Sequence, residues 1–228
     1  MSLMLQHQRT VREQKQAGQD VAPSAPASSA IGPAPAGLIG TQQLAALLDK
    51  ALAVDLAKLK EVRSREGKAD LKDGLLEKYA GYVTRLQDSG QRHDLLGWFL
   101  VWLFDTGKLG RAVAHGLWCV AHGVTLPDRF ARDLPTFVAD AILEWAEAEV
   151  EAGRTPEPYF TQIFAPADGL CGTPWNLPDE VTAKFYRLRG LWLLEDGKPE
   201  LAAEALEVAL DMGAKVKTAL AQARKKVS

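Results

Sequence analysis

His115, Cys119 and His122 stand at i, i+4 and i+7, so on a helix all three project from one face. Imidazole and thiolate at that spacing could begin a zinc site, which needs four ligands in a tetrahedron. No second Cys/His cluster is available to complete it. Ninety or so positions further on, the matching residues are Ala205, Ala209 and Met212, ordinary packing residues. A buried cysteine with satisfied histidines explains the spacing without a metal. A metal-dependent nuclease needs carboxylates that converge on one or two divalent ions. Asp140, Glu144 and Glu147 have helical spacing, with Glu149 and Glu151 nearby, but the helix they share is apolar on its other side. A solvated acidic face is the expected meaning, and no catalytic residue is assigned. Asp105-Thr106-Gly107-Lys108 has the look of part of a phosphate-binding loop, yet the full Gly-x-x-x-x-Gly-Lys-Ser/Thr pattern is missing. Its echo, Glu195-Asp196-Gly197-Lys198, marks it as a turn. No cofactor and no metal are expected.

The basic segments carry more chemistry. Lys58, Lys60, Arg63, Arg65, Lys68 and Lys72 crowd one short stretch, diluted only by Glu61, Glu66 and Asp70. Lysine and arginine at a protruding turn neutralise phosphates, and an oligomer would multiply the patch. A solvated helix end accounts for the same residues equally well. Arg9, Arg12 and Lys15 form a second candidate. Lys215, Lys217, Arg224, Lys225 and Lys226 form a third, although cations there also complement a helix C-terminus. No aromatic residues are interleaved, so the pattern points to duplex backbone or a groove rather than to stacking on single strands. Net charge is −2, so any affinity for nucleic acid must be local.

Helices must position these groups. Thr41 is a plausible N-cap for a helix bearing Leu44, Leu48, Leu52, Leu56 and Leu59 and running to Val62. A basic turn over 63–72 follows, with Gly67 as a stop and Asp70 as a new cap. A second helix with Leu75, Tyr79, Val83 and Leu86 ends at Gly90, which makes 38–90 an antiparallel hairpin for oligomerisation or DNA binding. Residues 98–123 and 190–213 then repeat one pattern. Trp102 matches Trp192, Leu103 matches Leu193, Gly107-Lys108 matches Gly197-Lys198, Ala112 matches Ala202 and Gly123 matches Gly213. This spacing predicts two tetratricopeptide-like helical hairpins. Between them a helix opens at Pro135, with Phe137, Ala141, Trp145 and Ala148 on its apolar face and Gly153 closing it. Five prolines over 154–178 predict a loop with one short helix around 159–164, and Pro178-Asp179-Glu180 starts the second hairpin. A basic helix over 215–226 ends the chain. Trp98, Trp102, Trp118, Trp145 and Trp192 fall on apolar faces, for the core or for subunit contacts.

No strand pattern occurs, so the fold is expected to be all-α, with no β-sheet. Residues 1–37 read as a flexible basic arm and an Ala/Pro/Ser linker, 38–90 as the first hairpin and 91–228 as a helical-repeat domain. The composition, 47% hydrophobic and 25% charged, is that of an ordinary globular protein. The apolar run at 95–104 is too short to span a membrane, and no apolar signal core opens the sequence. No membrane partner is expected. With only Cys119 and Cys171 there is no disulfide framework, which suits a reducing compartment.

The stretch WLFDTGKLGRAVAHGLWCVAHGVTLP, residues 102–127, and LPDEVTAKFYRLRG, residues 177–190, resemble the small terminase subunit of temperate, contractile-tailed phages of the Peduovirus type. The likeness extends over about 95–215. The tract at 20–37 and the loop at 154–176 depart from it, and the long basic tail expected of relatives is cut short at Ser228. The resemblance implies a DNA-packaging role in the cytoplasm of a bacterial host. It implies binding to double-stranded phage DNA at a cos-type packaging site and recruitment of the terminase large subunit, which hydrolyses ATP and cuts. It also implies a homo-oligomeric ring of roughly eight to ten subunits. Members are often labelled the endonuclease subunit. The alternatives are a helical-repeat interaction adaptor without a DNA role and an endonuclease in its own right.

Overall fold

The computed structural model describes residues 41–169 and 175–227. The predicted arm and linker at 1–37, with Arg9, Arg12 and Lys15, lie outside the described residues, as does Cys171. Nine α-helices occur among the described residues: α1 Thr41–Glu61, α2 Arg65–Ser89, α3 Asp94–Asp105, α4 Leu109–Ala121, α5 Leu134–Glu151, α6 Tyr159–Ala167, α7 Asp179–Glu195, α8 Pro199–Asp211 and α9 Lys217–Val227. None of the described residues is in a strand, and the fold is all-α. None of these helices is long and apolar enough to cross a membrane. The chain divides into two compact units, Met1–Thr106 and Gly107–Ser228.

In the first unit, α1, α2 and α3 pack on one another. The leucine stripe of α1 is buried at Leu44, Leu48 and Leu52, as are Leu76, Tyr79, Val83 and Leu86 of α2 and Leu96, Leu100 and Leu103 of α3. Each such side chain taken fully from water contributes about 1.5–3 kcal/mol before entropy is counted. The next position on the stripe is Asp55, only 4% exposed. Its Oδ2 accepts from Lys78 Nζ at 2.6 Å and from the Tyr79 hydroxyl at 2.7 Å. A buried carboxylate is tolerable only when paired and hydrogen-bonded in this way. Burial first, and the Asp55 carboxylate after it, keep the Tyr79 phenol protonated well above its usual range. His93 caps α3, its Nδ1 accepting from Leu95 N–H at 3.0 Å, while its Nε2 lies 3.2 Å from Asp49 Oδ1 on α1.

The turn between α1 and α2 is much shorter than the expected 63–72. Only residues 62–64 separate the helices, and Gly67 sits in the first turn of α2. Ser64 is the N-cap, its Oγ accepting from Gly67 N–H at 3.1 Å. An N-cap hydroxyl satisfies a donor that the helix itself cannot, so the helix starts at the serine rather than at Asp70. Gly90 ends α2 as expected, at φ 66°.

The second unit is built around α7, α8 and α9. Leu193, Leu194, Ala202, Leu206, Ala209, Val216, Leu220 and Ala223 form one buried cluster there. Gly190 lets α7 approach α8, because a Cβ at that position would fall 2.5 Å from Leu206 Cγ. The expected short helix appears as α6, whose Phe160 and Phe164 stack at 5.8 Å and pack on Phe185 of α7. In α5 the buried face is Val138, Ala139, Ile142, Leu143 and Ala146. The expected stripe was one step out of phase: Ala141 is buried, but Phe137, Trp145 and Ala148 are only half-buried. Alanines mixed among bulkier residues blur the helical period in the sequence.

The internal echo is visible in the helix bounds. α3 and α7 end, and α4 and α8 begin and end, at a constant offset of about ninety residues. Gly107 and Gly197 both take positive φ after the first helix of each pair, 69° and 75°, a conformation that side chains with a Cβ rarely adopt. The division of the chain falls between Thr106 and Gly107, in the turn of the first pair. α3 and α4 therefore belong to different units, while α7 and α8 pack on each other within the second. Of the five tryptophans placed on apolar faces, Trp102 is fully buried and Trp98, Trp118, Trp145 and Trp192 are half-buried.

Candidate nucleic-acid interface

The short turn changes where the six basic residues sit. Lys58 and Lys60 occupy the last turn of α1, where cations complement the negative end of the helix dipole. Arg63 is in the turn, and Arg65 and Lys68 lie in the first turns of α2, at its positive end. Cations are disfavoured there, and an anion would relieve them. Glu66 is the one acidic residue in that first turn.

The six are not equivalent. Lys72 Nζ lies 2.7 Å from Asp105 Oδ2 at the end of α3, so its charge is committed within the unit. Lys58 Nζ is 3.7 Å from Asp55 Oδ1, one turn back on its own helix. Lys60, Arg63, Arg65 and Lys68 have no ion-pair partner among the described residues. Lys60, Arg63 and Arg65 are exposed and Lys68 is half-buried. Four cations thus share the end of one helix and the start of the next, and the start of α2 adds backbone N–H groups. Such an arrangement can hold phosphate oxygens. Sequence reasoning missed Asp55, the carboxylate that joins α1 to α2 beneath this tip. Its one signal was position, since it continues the Leu44, Leu48, Leu52 stripe at helical spacing. The Lys72–Asp105 pair joins residues far apart in sequence and left no such signal.

The other constellations separate. Cys119 is buried, and its Sγ lies 3.5 Å from Nε2 of the buried His115. Burial pushes the Cys119 thiol up to about 12. His122 is exposed and stacked on Trp118 at 3.9 Å. Among the described residues no group of three or more His, Cys, Asp and Glu side chains is placed to hold a metal ion. On α5, Asp140 pairs with Arg132, and Glu147 Oε1 accepts from Arg187 Nη1 at 3.2 Å. Burial, and then the charge of Glu147, raises the Glu144 carboxyl above its ordinary value. Glu149 is held bidentately by Arg154 at 2.6 and 2.9 Å. The Asp105–Lys108 segment is a turn, with the Thr106 hydroxyl donating to Trp102 O at 2.8 Å.

The family profile described as "Phage small terminase subunit" matches residues 50–179, which include the whole basic tip. The chain is 31% identical over 165 residues to the "Probable terminase, endonuclease subunit" of Haemophilus phage HP1, covering 71% of this chain and 57% of that protein. It is 29% identical over 148 residues to the "Terminase, endonuclease subunit" of Escherichia phage P2, covering 64% of this chain and 58% of that protein. The chain therefore spans less than two thirds of the length of these curated relatives. No solved structure matches it.

Proposed function

The chain belongs to the phage small terminase subunit family, and from that premise we propose that it binds double-stranded phage DNA at a packaging site through the tip of the α1–α2 hairpin. It assembles as a homo-oligomeric ring of roughly eight to ten subunits and brings the bound DNA to the large subunit, which supplies ATP hydrolysis and cutting. The work is done in the cytoplasm of the bacterial host. Arg9, Arg12 and Lys15 add a second set of phosphate contacts.

The observation that carries this reading is the set Lys60, Arg63, Arg65 and Lys68, which spans the end of α1 and the start of α2 and has no ion-pair partner among the described residues. Arg65 and Lys68 sit where the helix dipole already favours an anion, and a ring would present the set once per subunit. A gel-shift titration over a salt series tests it. Affinity should fall steeply with salt, and reversing charge at Arg63, Arg65 and Lys68 together should abolish binding. Unchanged binding by that triple variant would move the interface elsewhere. No binding by the unaltered chain favours the helical-repeat adaptor without a DNA role.

The names of the two phage relatives speak for a second reading, an endonuclease in its own right. Magnesium-dependent cutting by the purified chain without the large subunit, lost in Asp140→Asn or Glu144→Gln, would establish it.

A further inference from the structure

α1 buries one face and leaves a second apolar stripe open. Leu47 and Val54, two helical turns apart, are 53% and 54% exposed, and Lys50 is exposed between them. In the other unit α8 does the same. Leu201 and Val208 are 47% and 38% exposed, with Glu204 exposed between them. The two stripes have identical spacing, Leu-x-x-Lys-x-x-x-Val and Leu-x-x-Glu-x-x-x-Val, and opposite charge at the centre. Every charged residue of α8 is acidic: Glu200, Glu204, Glu207 and Asp211. Neither Lys50 nor Glu204 has an ion-pair partner among the described residues. Large aliphatic side chains at i and i+7 on a solvent-facing helix are spaced to meet a partner helix.

We propose that α1 of one copy docks on α8 of a second copy, with Leu47 and Val54 packed on Leu201 and Val208 and Lys50 facing Glu204. Because the spacing is the same on both helices, the central charges meet whichever way the helices run. Each stripe is poorly suited to its own kind. α1 on α1 would set Lys50 near Lys50, and α8 on α8 would bring its acidic residues together, with like charges acting against both. A contact between unlike surfaces leaves every dimer with one free stripe of each kind, so association continues until the chain of subunits closes on itself. The inference rests on the ring reading above and names the surface that makes the ring.

The experiment is native mass spectrometry on three full-length chains: the unaltered protein, Leu47→Asp/Val54→Asp and Leu201→Asp/Val208→Asp. The unaltered chain should assemble, and each double variant alone should be a single chain. An equimolar mixture of the two variants should stop at the dimer, because it holds one intact pair of stripes. A second pair guards against misfolding and keeps the apolar residues intact. Lys50→Glu and Glu204→Lys should each weaken assembly by about fivefold to tenfold, and the two in one chain should restore it. Rings formed by both double variants would overturn the surface and leave the ring reading standing. Assembly lost only in the α1 variant would show self-pairing and overturn it too. An unaltered chain that stays single at micromolar concentration removes the ring and this contact together.

Discussion

Lys72 Nζ lies 2.7 Å from Asp105 Oδ2, joining the second turn of α2 to the last residue of α3. This pair withdraws one of the six basic residues from the tip. It also neutralises a carboxylate that would otherwise stand, unfavourably, at the negative end of α3. Lys72→Ala should therefore cost stability, by about 0.5–1 kcal/mol for a partly exposed pair, and change DNA affinity little. Arg65→Ala should do the reverse. Denaturant melts and fluorescence anisotropy on the two variants decide the point; equal losses of affinity would show Lys72 touching DNA.

Asp55 is the buried junction of the first hairpin. Asp55→Ala leaves the Lys78 ammonium and the Tyr79 hydroxyl without their acceptor, and it should destabilise the chain by about 3 kcal/mol. Adding Lys78→Met and Tyr79→Phe to Asp55→Ala should recover part of that loss, since no unpaired polar group then remains. Urea unfolding of the single and triple variants measures both. A triple variant less stable than the single one would mean that these side chains matter through packing rather than pairing.

Gly190 permits the α7–α8 crossing. Gly190→Ala should cost about 1–3 kcal/mol, because the new Cβ would lie 2.5 Å from Leu206 Cγ. Combined with Leu206→Ala it should cost less than the sum of the two single changes. Additivity in that double-mutant cycle would show that the helices separate freely to make room.

The Cys119 thiol makes stability fall at alkaline pH. Below about pH 9 it is protonated whether the chain is folded or not. From about 9 to about 12 the unfolded chain gives up this proton and the folded chain keeps it. The unfolded state then binds fewer protons, so unfolding becomes easier as pH rises. Cys119→Ala should flatten that slope, read as the change in urea midpoint between about pH 8 and about pH 10. In the native protein at neutral pH, thiol reagents should modify Cys119 only as fast as the chain opens.

Much of the scaffold was legible without coordinates. The end of α2 and the start of α7 are marked by Gly90 and Pro178, because caps and breakers act through neighbouring backbone. The short α6 amid five prolines was legible for the same reason. The α1–α2 turn was misplaced because Gly67 is a common stop signal, while Ser64 three residues earlier had the better claim on the helix start. The phase of α5 was misread because alanine can stand on either face.

By itself the sequence determined that the chain is helical, that a helix-turn-helix unit recurs, and that basic residues gather at one turn. Periodicity, capping and charge are properties of neighbouring residues, so they survive without a fold. Only the tertiary structure decided which of those charges are free. Lys72 is paired with a residue on another helix, Lys58 leans on Asp55, and Lys60, Arg63, Arg65 and Lys68 have no ion-pair partner among the described residues. Whether a cation is spent or available depends on what distant segments bring within a few ångströms, and no local spacing encodes that.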